Sequence, residues 1–204
     1  MKIIIITGPS GSGKTSLAKK LMVELENCHI ISTDDYYKTG KISNFLSKLI
    51  GSYYDRKISL DIKLLIKTIN KIIKNKEINY SYKYDFIKKT TKISYKKTLC
   101  IKHLIIEGIF SLELLNRISR NDFLLIRLNI NKEICMERIK KRDHIERGKS
   151  KKSSLEDFIK AWNIYYIKEK SYKISDSDKE LLFKKDPNIN TILKILSNKC
   201  NKLI

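Results

Sequence analysis

The sequence predicts an α/β fold in which a parallel sheet is covered by helices on both faces. Three observations lead there. Short β-branched runs alternate along the chain with stretches of helical period. A glycine-rich loop joins the first such run to the first helix. No apolar run approaches the ~20 residues needed to span a membrane, so the apolar side chains have to be buried in a core. A chain of 204 residues is ample for one α/β domain and would bury roughly 70 % of its unfolded surface. With no Pro/Gly/Ser-rich linker and no internal repeat, a single domain over residues 1–204 is expected.

"KIIIIT", Lys2 to Thr7, reads as a strand buried on both faces. "GPSGSGKTS", Gly8 to Ser16, follows at once and holds three of the chain's 7 glycines. Gly8, Gly13, Lys14 and Thr15 satisfy the phosphate-loop pattern of glycine, four residues, glycine, lysine and a hydroxyl residue. Glycines let consecutive backbone N–H groups turn toward one anion, and the following helix N-terminus adds its dipole. Gly8, Pro9, Ser10, Gly11, Ser12, Gly13, Lys14, Thr15 and Ser16 are therefore the candidate ATP-binding loop. Lys14 would reach the outer phosphates and the Thr15 hydroxyl would ligate Mg²⁺.

"NCHIIST", Asn27 to Thr33, reads as the second strand. "SLDIKLLIKTINKIIKN" reads as an amphipathic helix capped by Ser59, with Leu60, Leu64, Leu65, Ile69, Ile72 and Ile73 inward. Between Ile78 and Leu99, tyrosines and β-branched residues alternate with polar ones, predicting two or three short strands outside the main sheet. "HLIIEGIF" and "DFLLIRLNI" supply the third and fourth core strands. A helix opens at Asn131, with Glu137 and Lys141 at pair spacing, and another is expected with Ser154 as cap. Past Lys170 the signal weakens until "NINTILKILSNK", a terminal helix.

Charge narrows the partners less than its size suggests. The 43 Lys+Arg against 22 Asp+Glu give +21. The lysines run from Lys2 to Lys202 among many Ile and Asn, without an arginine cluster or an aromatic–basic stripe. A compositional bias accounts for this, and neither a specific nucleic-acid partner nor a membrane is expected. Cys28, Cys100, Cys135 and Cys200 have no metal-type or redox-type spacing and read as reduced thiols of a cytoplasmic protein.

A triphosphate site needs ligands for Mg²⁺, an acceptor site and cations for the moving charge. In parallel sheets these gather at the carboxyl ends of the strands. The second strand ends in "STDDYYK", where Asp34 is read as the base that takes a proton from an acceptor hydroxyl. Asp35 is read as a cap or solvent-facing acid. The third strand ends in "LIIEGIF", which sets Glu107 beside the loop as a Mg²⁺-side acid. "RIKKRDHIERGK" offers Arg138, Arg142, Arg147 and Lys149 at a helix end and in the loop after it, a basic lid over about residues 143–153.

The loop, "ISTDDYYK", "YYDRKISLDIKLL", "YKYDF", "LIIEGIF" and "KRDHIERGK" follow in the order and spacing of the uridine–cytidine kinase family, which this chain resembles from roughly Lys2 to Lys170. The resemblance implies a P-loop kinase fold with a small β-hairpin and transfer of the ATP γ-phosphate to the 5′-hydroxyl of uridine or cytidine. It also implies Mg²⁺ and a homotetramer. Asp34 matches the catalytic aspartate, and with Glu107 and Thr15 the metal-side groups; Lys14, Arg142 and Arg147 match the other catalytic cations. Asp55 matches the acid holding the ribose hydroxyls. Tyr37, Tyr84 and Phe86 match aromatics around the base, and Arg142 and Lys149 the lid contacts to substrate.

Three positions depart from the family pattern. Lys89 stands where a histidine contacts the pyrimidine, and an ammonium donates but cannot accept. "RKISLD" after Asp55 lacks the usual histidine–proline pair. Ile139 occupies a lid-helix position often held by arginine, with Arg138 beside it. "NCHIISTDDYYK" is also similar to nicotinamide riboside kinases, a sister group with a different lid sequence. A nucleotide-binding or nucleic-acid-binding regulator without transfer activity is the reading from another class.

Overall fold

The computed structural model describes residues 1–115, 117–118, 123–147, 150–169, 172 and 179–198. Five strands form one parallel sheet: β1 (Lys2–Thr7), β2 (Cys28–Ser32), β5 (His103–Glu107), β6 (Phe123–Leu128) and β7 (Lys179–Phe183), in the spatial order β2–β5–β1–β6–β7. Two further strands, β3 (Ser81–Asp85) and β4 (Thr90–Ser94), pair antiparallel as a separate hairpin. The helices are α1 (Lys14–Glu24), α2 (Lys41–Leu49), α3 (Ile62–Asn75), α4 (Lys132–Arg147), α5 (Lys151–Glu169) and α6 (Ile189–Asn198).

The run of four isoleucines makes sense in the centre of this sheet. Ile3 and Ile5 face one way, among Leu104, Ile106, Leu125 and the Leu65, Ile69 and Ile72 ridge of α3. Ile4 and Ile6 face the other, among Leu17 and Leu21 of α1, Cys135 and Ile139 of α4, Phe158 of α5 and Ile192 of α6. Both faces of β1 are covered, so the strand is apolar at every position rather than at alternate ones. Each fully buried isoleucine contributes about 1.5–3 kcal/mol.

Of the two or three short strands expected between Ile78 and Leu99, two are present, extended by a bridge between Ile78 and Thr98. Three expectations need correction. Ser59 does not cap α3: its hydroxyl donates to the Arg56 carbonyl at 2.7 Å, inside a short 3₁₀ turn. Leu60 then runs antiparallel against Tyr37, which keeps the backbone extended, and the cap falls to Asp61, whose Oδ1 accepts from the Leu64 N–H at 3.0 Å. Likewise α5 begins at Lys151, so Ser154 lies within the helix and is 1 % exposed. The Ser150 hydroxyl accepts from the Ser153 N–H at 3.2 Å instead. The fifth strand, β7, was not foreseen. Asn131 does open α4, its Oδ1 accepting from the Glu133 N–H at 2.8 Å.

Among the described residues no helix is long and apolar enough to cross a membrane. Cys28, Cys100 and Cys135 are free, and Cys200 lies outside the described residues.

The caps give a stability test. Asp61→Ala should cost about 1 kcal/mol by urea unfolding with an unchanged m-value. Ser154→Ala should be neutral or slightly stabilising, because no cap is lost and the buried Ser154 hydroxyl has no hydrogen-bond partner among the described residues.

Candidate active site

The site is assembled where β1, β2 and β5 end together at their carboxyl edge. The phosphate loop leaves β1 after Thr7 and reaches α1 at Gly13, whose φ of 91° lies in the left-handed region that glycine tolerates. Lys14 opens the helix with its side chain buried, and its ammonium donates to the Pro9 carbonyl at 2.9 Å. Burial pulls the Lys14 pKa below its ordinary value, while the carboxylates of Glu107 and Asp34 pull it back up.

Glu107 ends β5 opposite Ser32 and Ile6 and is 2 % exposed. Its Oε1 accepts from the Thr15 hydroxyl at 3.2 Å. Burial raises its pKa and the Asp34 charge raises it further, against the lowering effect of Lys14, Ser32 and Thr15. The next residue, Gly108, has φ 141° and lies so close to Thr33 that a Cβ there would collide with the threonine hydroxyl. That approach brings the 3₁₀ turn Thr33–Tyr36 against the end of β5, with Asp34 in electrostatic reach of both Lys14 and Glu107.

Beyond Asp34 lies a box of rings. The Tyr37 hydroxyl donates to the Tyr54 carbonyl at 2.9 Å and stands 3.5 Å from Asp34 Oδ1. The Tyr37 ring meets Tyr54 and Tyr84 edge-on, each at 5.2 Å between centroids, and Tyr84 meets Phe86 at 5.1 Å. The Tyr84 hydroxyl donates to that of Tyr54 at 3.2 Å, and burial raises the Tyr84 pKa. Lys89 reaches the same group: its ammonium donates to the Ser47 hydroxyl at 3.3 Å and lies 5.9 Å from the Tyr54 ring centroid. Asp55, in the turn Tyr53–Asp55, shares a small cavity with Ser10 of the phosphate loop, Ile109, Ala161 and Tyr165.

The structure thus brings together the loop residues, Asp34, Glu107, Tyr37, Tyr84, Phe86, Lys89 and Asp55. The lid differs from expectation. Residues 143–147 continue α4 as helix rather than starting a loop. Arg142 donates through Nε (3.0 Å) and Nη2 (2.7 Å) to Oδ1 of the adjacent, buried Asp143, and its charge is felt at Lys14. The Arg147 side chain and all of Lys149 lie outside the described residues. Ile139 is 4 % exposed in the core, so the arginine on that turn directed toward the loop is Arg138. It pairs with Asp186 at 2.7 Å and would lie 3.6 Å from a Cβ at Gly13.

Sequence reasoning missed Tyr54, Asp186 and the role of Asp35. Tyr54 adjoins Asp55 in the "YYD" stretch, the one signal that could have found it. Asp35 is neither a cap nor solvent-facing: its Oδ1 accepts from the Tyr84 N–H at 3.0 Å and lies 3.4 Å from the Lys83 ammonium.

A loop of this shape with its lysine and hydroxyl beside a buried acid defines a nucleotide-binding P-loop protein. A family profile described as an AAA domain matches residues 4–158. The uridine kinase of Staphylococcus aureus (strain JH9) is 30 % identical over 77 % of this chain and 75 % of its own length. That of Borrelia duttonii is 28 % identical over 82 % and 80 %. Among solved structures, a candidate uridine kinase from Bacillus stearothermophilus shares the fold with a TM-score of 0.56 at 17 % identity, covering 87 % of this chain and 88 % of that one. The chain belongs to the family of that AAA-domain profile and, with these relatives, to the uridine–cytidine kinase family of P-loop nucleoside kinases. It is a nucleoside kinase, an enzyme class whose phosphate donor is ATP.

The raised pKa of Glu107 has a measurable sign. Its folded state holds the proton more tightly than the unfolded chain, so this group's contribution to stability falls as pH rises above about 4.5. Glu107→Gln removes that loss. Its melting temperature should decline less between acid and neutral pH than the parent's, from a level lowered by leaving the buried Lys14 without its facing carboxylate.

Proposed function

We propose that the enzyme transfers the γ-phosphate of ATP to the 5′-hydroxyl of a pyrimidine ribonucleoside, uridine or cytidine. The observation that carries this reading is the position of Asp34. It lies between the charges of Lys14 and Glu107 on one side and the Tyr37 hydroxyl of the ring box, 3.5 Å away, on the other. A hydroxyl presented from the ring box would meet that carboxylate beside the phosphate loop. The uridine kinase names of the relatives support the same acceptor class.

In this reading the 5′-oxygen forms a bond to the γ-phosphorus as the bond from that phosphorus to the β–γ bridging oxygen breaks. Asp34 accepts the hydroxyl proton, and ADP leaves with the bridging oxygen. Lys14 and Arg142, with Arg147, balance the charge on the transferring group. Asp55 holds the ribose hydroxyls; Tyr37, Tyr84, Phe86 and Lys89 surround the base, with Arg142 and Lys149 closing over the substrate.

The donor set at the strand ends fits Mg²⁺. A hydroxyl and one buried carboxylate, Thr15 and Glu107, already meet at 3.2 Å, and Mg²⁺ is commonly bound by one or two carboxylates together with substrate phosphates. Thr15 and Glu107, with Asp34, would hold it. When bound, it would neutralise charge on the β- and γ-phosphates.

ADP release from Mg·ATP, with uridine, cytidine and nicotinamide riboside added separately, tests the acceptor. Uridine or cytidine should stimulate it, and stimulation by nicotinamide riboside alone would reject the pyrimidine reading. Asp34→Asn should lower turnover by about 10²–10⁴-fold while the ATP dissociation constant changes little. Near-normal turnover would remove Asp34 from the role of base.

A further inference from the structure

The second acid of "STDDYYK" has a task distinct from that of the first. The hairpin β3–β4 shares no strand pairing with the main sheet, and a lone two-stranded hairpin is marginal in water. Its seat is the turn that carries Asp34. Tyr36 packs edge-on against Tyr82 at 5.2 Å, and Tyr37 against Tyr84 at 5.2 Å. Ring packing of this kind tolerates a slide along the strand. A hydrogen bond to one backbone amide does not, because it selects a single residue of β3. Asp35 Oδ1 supplies it, accepting from the Tyr84 N–H at 3.0 Å from a side chain only 15 % exposed. A carboxylate acceptor makes such a bond stronger than a neutral one. Its ion pair with Lys83, whose side chain is 77 % exposed, adds little beside it.

The consequence reaches the acceptor pocket. Tyr84 is the residue whose ring faces Tyr37 and Phe86 and whose hydroxyl meets Tyr54. Fixing its amide fixes one wall of the ring box relative to Asp34, one residue away in the chain. We infer that Asp35 is a positioning residue that locks the hairpin to the turn bearing Asp34 and thereby sets affinity for the nucleoside, without touching the transferred phosphoryl group. This rests on the acceptor reading above.

Asp35→Ala and Asp35→Asn separate the possibilities. The alanine variant loses the acceptor; asparagine keeps an oxygen for the Tyr84 amide and gives up the charge. Asp35→Ala should raise the KM for uridine about tenfold or more, as expected for a lost charge-assisted bond. Its kcat at saturating uridine and its KM for ATP should stay within about threefold of the parent. Asp35→Asn should keep all three within about threefold. Amide hydrogen exchange gives a readout independent of turnover: residues 81–94 should exchange faster in Asp35→Ala and near the parental rate in Asp35→Asn. Should the alanine variant not fold, Asp35→Glu displaces the carboxylate by one methylene and carries the same expectation of raised KM and retained kcat. Faster hairpin exchange with an unchanged KM overturns the assignment, as does a fall in kcat with KM held. A parent enzyme silent with every nucleoside would instead reject the acceptor reading, leaving the exchange experiment to decide the lock.

Discussion

Three charges share one buried place at the end of the sheet, and most of the molecule is arranged to make that bearable. Lys14 and Glu107 are both largely removed from water, and burial disfavours the charged form of each. Lys14 is tolerable because the carboxylates of Glu107 and Asp34 face it, and Glu107 because Lys14 and the hydroxyls of Ser32 and Thr15 work against both burial and the like charge of Asp34. Bringing them together requires β1, β2 and β5 to end in register, which the parallel pairing of Ile6 with Glu107 and Ser32 with Glu107 achieves. It also requires the bare backbone of Gly108 against Thr33. One ammonium against two carboxylates leaves this corner short of positive charge, so the attraction for a phosphate comes from Lys14 together with the loop's backbone N–H groups and the N-terminus of α1.

What the sequence disclosed and what it concealed divide along a physical line. Features written in local chemistry were legible. The phosphate loop needs its glycines, lysine and hydroxyl at fixed spacing, and a strand buried on both faces must be apolar throughout. The places of Asp34 and Glu107 were legible because Glu107 ends an apolar strand and Asp34 follows the end of β2. The concealed features depend on what a residue meets after folding. Ser59 looks like a cap until the pairing of Leu60 with Tyr37 moves the helix start by two residues. Asp35 looks like a surface acid until the hairpin, some fifty residues later, offers it an amide. The edge strand β7 is five residues with a lysine and a glutamate, and its pairing with β6 is what makes it a strand. In "RIKKRDH" the basic character was plain, but which arginine meets the loop was decided by the burial of Ile139.

The aromatic residues illustrate the same division within the site. Tyr37, Tyr84 and Phe86 come from separate stretches, the turn after β2 and the hairpin, and alternation alone would allow them to be ordinary packing. They are packing: Tyr37 and Tyr84 are almost fully buried, and each ring has others as neighbours. The Tyr84 hydroxyl nonetheless donates to that of Tyr54, and the Tyr37 hydroxyl donates to the Tyr54 carbonyl while standing 3.5 Å from Asp34. The rings that seat the hairpin on the turn after β2 are thus the same rings that stand beside Asp34.

The position of β1 has a consequence for how the chain is made. Its four isoleucines form the most apolar, β-prone segment of the molecule, and its two partners in the sheet are β5 and β6. Those partners follow it by about a hundred residues or more. At a synthesis rate of about 5–20 residues per second, β1 waits roughly 5–20 s on the ribosome before a neighbour exists. Such a segment, unpaired, is a template for association with other chains. The segment at the heart of the finished sheet is thus the strand that stays longest without a pairing partner during synthesis.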